Sequence, residues 1–179
     1  MRDTTARAPR TLAQWYCLIF GVTLLLAGIF GFIADTSFDT STSPEGSSFL
    51  GLEVNGWHNL VHLGSGLLLL AAANTRPTAK TVAIGFGFVY AIVALWGLID
   101  GQSVLFIPVN GADNILHAAI AVLGVVLGMR SPTTKREQIR GRRRTADRAV
   151  RRDAAAGTQT EIEPEAGSSS DNGITRTRS

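Results

Sequence analysis

The chain has 179 residues, of which 45% are hydrophobic and 17% charged, with a formal net charge of +3 and a pI near 9.6. These averages conceal two unlike parts, since residues 12–129 contain two Lys or Arg while residues 130–152 contain ten. A soluble helical bundle is excluded because it needs polar outer faces, and the stretches 24–27 and 67–71 are apolar all the way round; an intrachain disulfide is excluded because Cys17 is the only cysteine.

Residues 1–11 form a short basic arm whose role is to fix orientation. Four apolar runs follow, at about 12–34, 56–73, 81–99 and 112–129. At about 1.5 Å per residue, runs of roughly 18 to 23 residues match a hydrocarbon core about 30 Å thick, so the fold class predicted is an all-α membrane protein with four transmembrane helices. The first run is too long for a signal peptide, and Phe32-Ile33-Ala34 lacks a small-x-small cleavage pattern, so an uncleaved helix is expected. Its Gly21, Ala27, Gly28 and Gly31 are spaced for close helix approach in lipid. Residues 35–53 have the Ser, Thr, Asp and Gly content of an irregular exposed loop.

Val54-Asn55-Gly56-Trp57-His58-Asn59-Leu60-Val61-His62 is then rewritten as Val109-Asn110-Gly111-Ala112-Asp113-Asn114-Ile115-Leu116-His117. Seven of the fifteen positions from Ser48 to His62 are identical 55 residues later. Upstream, Phe20-Gly21 and Gly31 recur 66 residues later as Phe86-Gly87 and Gly97, the difference being the extra length of the first loop. The chain therefore reads as a tandem duplication of a helix-loop-helix unit. Each unit crosses the membrane twice, so both share one orientation. All seventeen basic residues lie in the N-terminal arm, at Arg76 and Lys80, or from Arg130 onward. By the positive-inside rule the termini and middle link face the cytoplasm and the two motif-bearing links face out, in the cell (inner) membrane.

Asn55 and Asn110 stand where loop becomes helix and are expected N-caps, with Asp113 completing a capping-box arrangement. From each cap, His58, Asn59 and His62, or Asp113, Asn114 and His117, share an arc of about 100° on one helix face. Polar groups at this depth face the bundle interior, so these residues should converge near the outer end. Several chemistries fit such a cluster. A structural hydrogen-bond network through Asn55, Asn59, Asn110, Asn114 and the histidines leads. A metal site using His58, His62, Asp113 and His117, three nitrogens and one oxygen suited to a divalent ion, is the alternative. A proton or ion pathway lacks polar residues in the inner half, and directly packed helices about 8–10 Å apart leave no slot for haem. No phosphate loop, catalytic carboxylate pair or nucleophile elbow occurs, so no enzymatic activity is expected.

Residues 130–179 read as a disordered cytoplasmic tail. The segment 130–152 carries ten basic and two acidic residues, net +8, and 153–179 five acidic and two basic. The basic part suits anionic lipid headgroups, whereas nucleic-acid binding would be generic electrostatics without aromatic interleaving; no protein partner is indicated. The two motifs, Asn55, His58, Asn59, His62 and Asn110, Asp113, Asn114, His117, resemble those of a bacterial, mainly actinobacterial, multi-pass membrane family catalogued as domain of unknown function 4383. The resemblance covers about residues 12–129, implies four helices with an N-x-x-H-N-x-x-H type motif leading the second and an N-x-x-D-N-x-x-H type motif leading the fourth, and brings no activity.

Overall fold

The structure is a computed structural model that describes residues 9–101 and 103–160. Helix α1 spans Leu12–Ala34, α2 Gly56–Ala72, α3 Arg76–Asp100, α4 Gly111–Met129 and α5 Lys135–Thr160. Strands β1 (Ser47–Phe49) and β2 (Leu52–Val54) form one antiparallel hairpin before α2, and β3 (Ser103–Val104) and β4 (Ile107–Pro108) form a second before α4.

The helix starts follow from capping chemistry. Thr11 caps α1 in a reciprocal box with Gln14, and Thr75 caps α3 by accepting from the Thr78 amide. With Pro77 in the first turn, where its missing N–H costs nothing, this cap starts α3 five residues earlier than the apolar run suggested. Gly101, at φ 83°, ends it.

The chain is packed inside out relative to a soluble bundle. Small residues fill the contacts, with Gly21, Leu24, Gly28 and Gly31 making the buried stripe of α1, while Ile19, Phe88, Ile92 and Val122 face outward. Helices α1, α3 and α4 are long and apolar enough to cross a membrane, as fits a membrane protein; α2 has 17 residues. Helix α1 packs mainly along α2 and α3 mainly along α4, and α1 also meets α3 and α4. At the end opposite the hairpins, α1 is pinned to its neighbours by buried hydrogen bonds. Gln14 Nε2 donates to Ala73 O (3.0 Å), Tyr16 Oη to Ile120 O (3.1 Å), and the Ala13 amide to Ser131 Oγ (2.7 Å).

Two expectations about the connecting segments change. The link before α2 ends in a hairpin instead of remaining irregular throughout. Its two-residue turn puts Leu50 and Gly51 at φ 54° and 85°, and the second turn puts Leu105 at φ 58°. Leucine at positive φ is not a turn signal, and strands of two or three residues carry no readable alternation. The second change is in the tail, where residues 135–160 are helical. Reciprocal hydrogen bonds between Thr134 and Glu137 cap the start, and a run rich in Arg, Ala and Gln has the propensity to continue through Gly141. Residues 1–8 of the expected N-terminal arm and 161–179 of the expected tail lie outside the described residues.

Candidate functional site

Asn55 and Asn110 do cap their helices. The Asn55 side chain accepts from the His58 amide (2.9 Å), and Asn110 accepts from the Ala112 and Asp113 amides (2.9 and 3.1 Å). Each side chain has a second half, its Nδ2, and each sends it across to the hairpin that precedes the other helix. Asn55 Nδ2 donates to Phe106 O in the second hairpin turn (3.1 Å), and Asn110 Nδ2 donates to Gly51 O in the first (3.0 Å). The exchange is reciprocal and joins positions that correspond at the 55-residue offset.

Three residues further on, the two copies differ in a way that completes the join. His58 Nδ1 lies 2.7 Å from Glu53 O, and the Glu53 amide donates to Asp113 Oδ2 (3.0 Å), which also accepts from the Asn110 amide (2.9 Å). A donor on one helix and an acceptor on the other thus hold both backbone groups of a single β2 residue. Since a carbonyl only accepts, His58 carries its proton on Nδ1. Sequence spacing suggested that Asp113 could ligate a metal, but its Oδ2 is committed to two amides.

Asn59 and Asn114 sit where α1 meets α2 and where α3 meets α4. Asn59 Nδ2 donates to Asp35 O (2.9 Å). A Cβ added at Gly31 would collide with Asn59 Oδ1, and one at Gly97 would collide with Asn114 Oδ1. Glycine at these positions lets each amide oxygen lie against the neighbouring helix backbone, a contact of the weak Cα–H···O kind.

His62 and His117 are buried with His58, which is only 2% exposed; its nearness to the cap does not leave it in solvent. The His58 ring centroid lies 4.4 Å from that of His62 and 6.2 Å from that of His117, and the Tyr90 ring meets His117 edge-on at 5.3 Å. Among the described residues, Nδ1 of His62 and Nδ1 of His117 have no hydrogen-bond partner. One ring nitrogen from each of the three histidines lies within 4.8 Å of the other two.

Beside this cluster Trp57 meets Phe38 in a T-shaped pair (5.0 Å) and Phe106 at a tilt (4.9 Å). Residues 35–62 and 100–117, which form this end, hold Asp35, Asp39, Glu45, Glu53, Asp100 and Asp113 and no Lys or Arg. The field at the hairpin end therefore favours cations. Asp35 is partly buried, which by itself raises a carboxyl pKa, yet hydrogen bonds from Ser37 and Ser47 outweigh this and hold it below the usual aspartate value.

The motif spacing identified Asn55, His58, Asn59, His62, Asn110, Asp113, Asn114 and His117, and all of them are buried or half-buried at this end. Sequence reading missed Glu53, which acts through its backbone, and Tyr90, whose depth on α3 only packing reveals. Gly31 and Gly97 were visible as corresponding positions at the 66-residue offset, without their partners.

No curated protein and no solved structure matches the chain. A family model described as "Domain of unknown function (DUF4383)" matches residues 14–130. Covering well over half of the sequence, the match shows that the chain belongs to this family of unknown function.

Proposed function

We propose that the chain is a four-span inner-membrane protein with a structural or interaction role, in which two duplicated halves are locked together at the outer face and a basic helix is presented inside. The reciprocal bonding of Asn55 and Asn110 to the opposite hairpins carries this reading. Such a lock consumes buried polar groups to fix one arrangement of two halves, as a membrane scaffold requires. Helix α2 is the fourth span. At about 25 Å it falls slightly short of the hydrocarbon core, but its exposed Leu60, Leu67 and Leu68 suit lipid, and the hairpin in front of it extends the half.

The absence of basic residues at the hairpin end, against Arg10, Arg76, Lys80 and Arg130 at the other, supports cytoplasmic termini. Helix α5 bears most of the basic segment 130–152, and its partner is the anionic headgroup layer, at about 1 kcal/mol per basic side chain near the surface. Cysteine labelling of the full chain in sealed membranes tests the topology in a Cys17→Ser background. Ser43→Cys is expected to react with an impermeant maleimide from outside and Thr145→Cys only after permeabilisation; the opposite pattern overturns the orientation. In nanodiscs, the residue 142–144 region should resist trypsin more in anionic than in zwitterionic lipid, and equal cleavage would refute the headgroup assignment.

A further inference from the structure

The lock accounts for Asn55, Asn110 and Asp113, and the contacts at Gly31 and Gly97 for Asn59 and Asn114, while Nδ1 of His62 and Nδ1 of His117 are left without a partner. His58, His62 and His117 come from two helices, bury together, and bring one ring nitrogen each within 4.8 Å of the others. Nδ1 of His62 and of His117 is buried without a partner, at 7% and 6% residue exposure, and an unpaired buried polar atom costs about 1–3 kcal/mol; the Oδ1 atoms of Asn59 and Asn114, also unpaired, lie against Gly31 and Gly97, whereas the two imidazoles lie against a third.

We propose that His58, His62 and His117 form a binding site for one divalent transition-metal ion of the zinc class. His58 is prepared for this role. Its Nδ1–H is given to Glu53 O at 2.7 Å, which orients the ring as backbone carbonyls do for metal-bound histidines, and the Pro108 carbonyl also acts on this imidazole. Tyr90 packs T-shaped against the ring of His117.

Nitrogen ligands about 2.0–2.1 Å from a tetrahedral ion stand about 3.3 Å apart. Closing from 4.8 Å toward that spacing draws on χ2, a soft torsion in histidine, above all at His62, whose Nδ1 has no hydrogen bond to break. The donor set consists of three neutral imidazoles. The one thiol, Cys17, faces Ala79 O far along α1, so soft-metal thiolate chemistry is not offered. Asp113 stays outside the ligand set, held by the Glu53 and Asn110 amides, but lies near enough to His58 and His117 to act on both electrostatically and offset the charge of an ion. Three protein ligands leave a fourth position for water or another small donor. The six carboxylates and absence of Lys or Arg at this end raise the local concentration of cations.

The site does not depend on the topology assigned above, since a chain inserted the other way round would keep the same three ligands. The full-length protein, purified in detergent and stripped with chelator, is titrated with Co(II) and then with Zn(II). One equivalent of Co(II) per chain with the intense visible absorption of a four-coordinate site, displaced by Zn(II), is expected. X-ray absorption of the zinc form should show nitrogen or oxygen neighbours alone, at about 2.0–2.1 Å. The double variant His62→Gln with His117→Gln should lose the equivalent while keeping its far-UV ellipticity. Less than one equivalent in the wild type, a six-coordinate cobalt spectrum, a sulfur shell, or a folded double variant that binds as the wild type does would each overturn the proposal. If the double variant does not fold, the wild-type titration and its spectrum decide alone.

Discussion

Asp113→Ala separates a carboxylate that joins the two halves from one that merely decorates a helix start. Asp113 is 2% exposed, and its Oδ2 accepts from the Asn110 amide at 2.9 Å and the Glu53 amide at 3.0 Å. Alanine leaves both amides without their acceptor, and at about 1–3 kcal/mol for each orphaned group the loss is about 4 kcal/mol. An acidic residue acting only on the helix dipole would contribute about 0.3–1 kcal/mol. Asp113→Asn keeps one acceptor oxygen but loses the charge, which roughly doubles the strength of such bonds, so about 2 kcal/mol should go. Equilibrium unfolding of the purified protein in mixed micelles, followed by far-UV ellipticity, measures both variants. An alanine variant within about 1 kcal/mol of wild type would refute the bridging role and leave only a cap.

Gly31→Ala and Gly97→Ala should each cost about 2 kcal/mol, because the added methyl displaces Asn59 or Asn114 from its contact, whereas Gly85→Ala, with nothing within 4 Å of its added carbon, should remain within about 1 kcal/mol of wild type. Equal effects at the three positions would show that the amides do not lie against the glycines. The depressed pKa of Asp35 makes stability pH-dependent in a defined direction. Its contribution is complete above the ordinary aspartate pKa and is lost as pH falls through the lower folded value. Asp35→Asn should therefore flatten the acid limb of a stability-pH curve and leave its neutral region unchanged in slope; an unaltered acid limb would contradict the Ser37 and Ser47 hydrogen bonds as its cause.

Much of the fold could be read before any coordinates, for simple reasons. Apolar runs of bilayer length locate helices because backbone groups in lipid must be satisfied within the segment. Starts at Gly56 and Gly111 were legible to within a residue from the capping residues Asn55 and Asn110, and the start at Leu12 from the onset of the first apolar run. The turns of the hairpins were not legible, since Leu50 and Leu105 occupy positive φ against local preference, in turns closed by the strand pairing on either side. Helix α5 was misjudged for another reason. Its Arg and Ala content gives helical propensity without any apolar face, and composition alone reads such a segment as unstructured.

By itself the sequence determined that His58, Asn59 and His62 share one helix face and that Asp113, Asn114 and His117 share another, because the 3.6-residue period fixes relative direction along a helix. It could not determine which of these side chains meet across helices. Only the tertiary structure decided that the cap asparagines exchange hairpins, that Glu53 offers its amide to Asp113 and its carbonyl to His58, and that the three imidazoles converge while the carboxylate stays occupied. Backbone carbonyls and amides are the same at every residue and leave no mark in a sequence. Their positions, set by two turns and the close approach of helices at Gly31 and Gly97, determined which motif residues found partners and which were left without one.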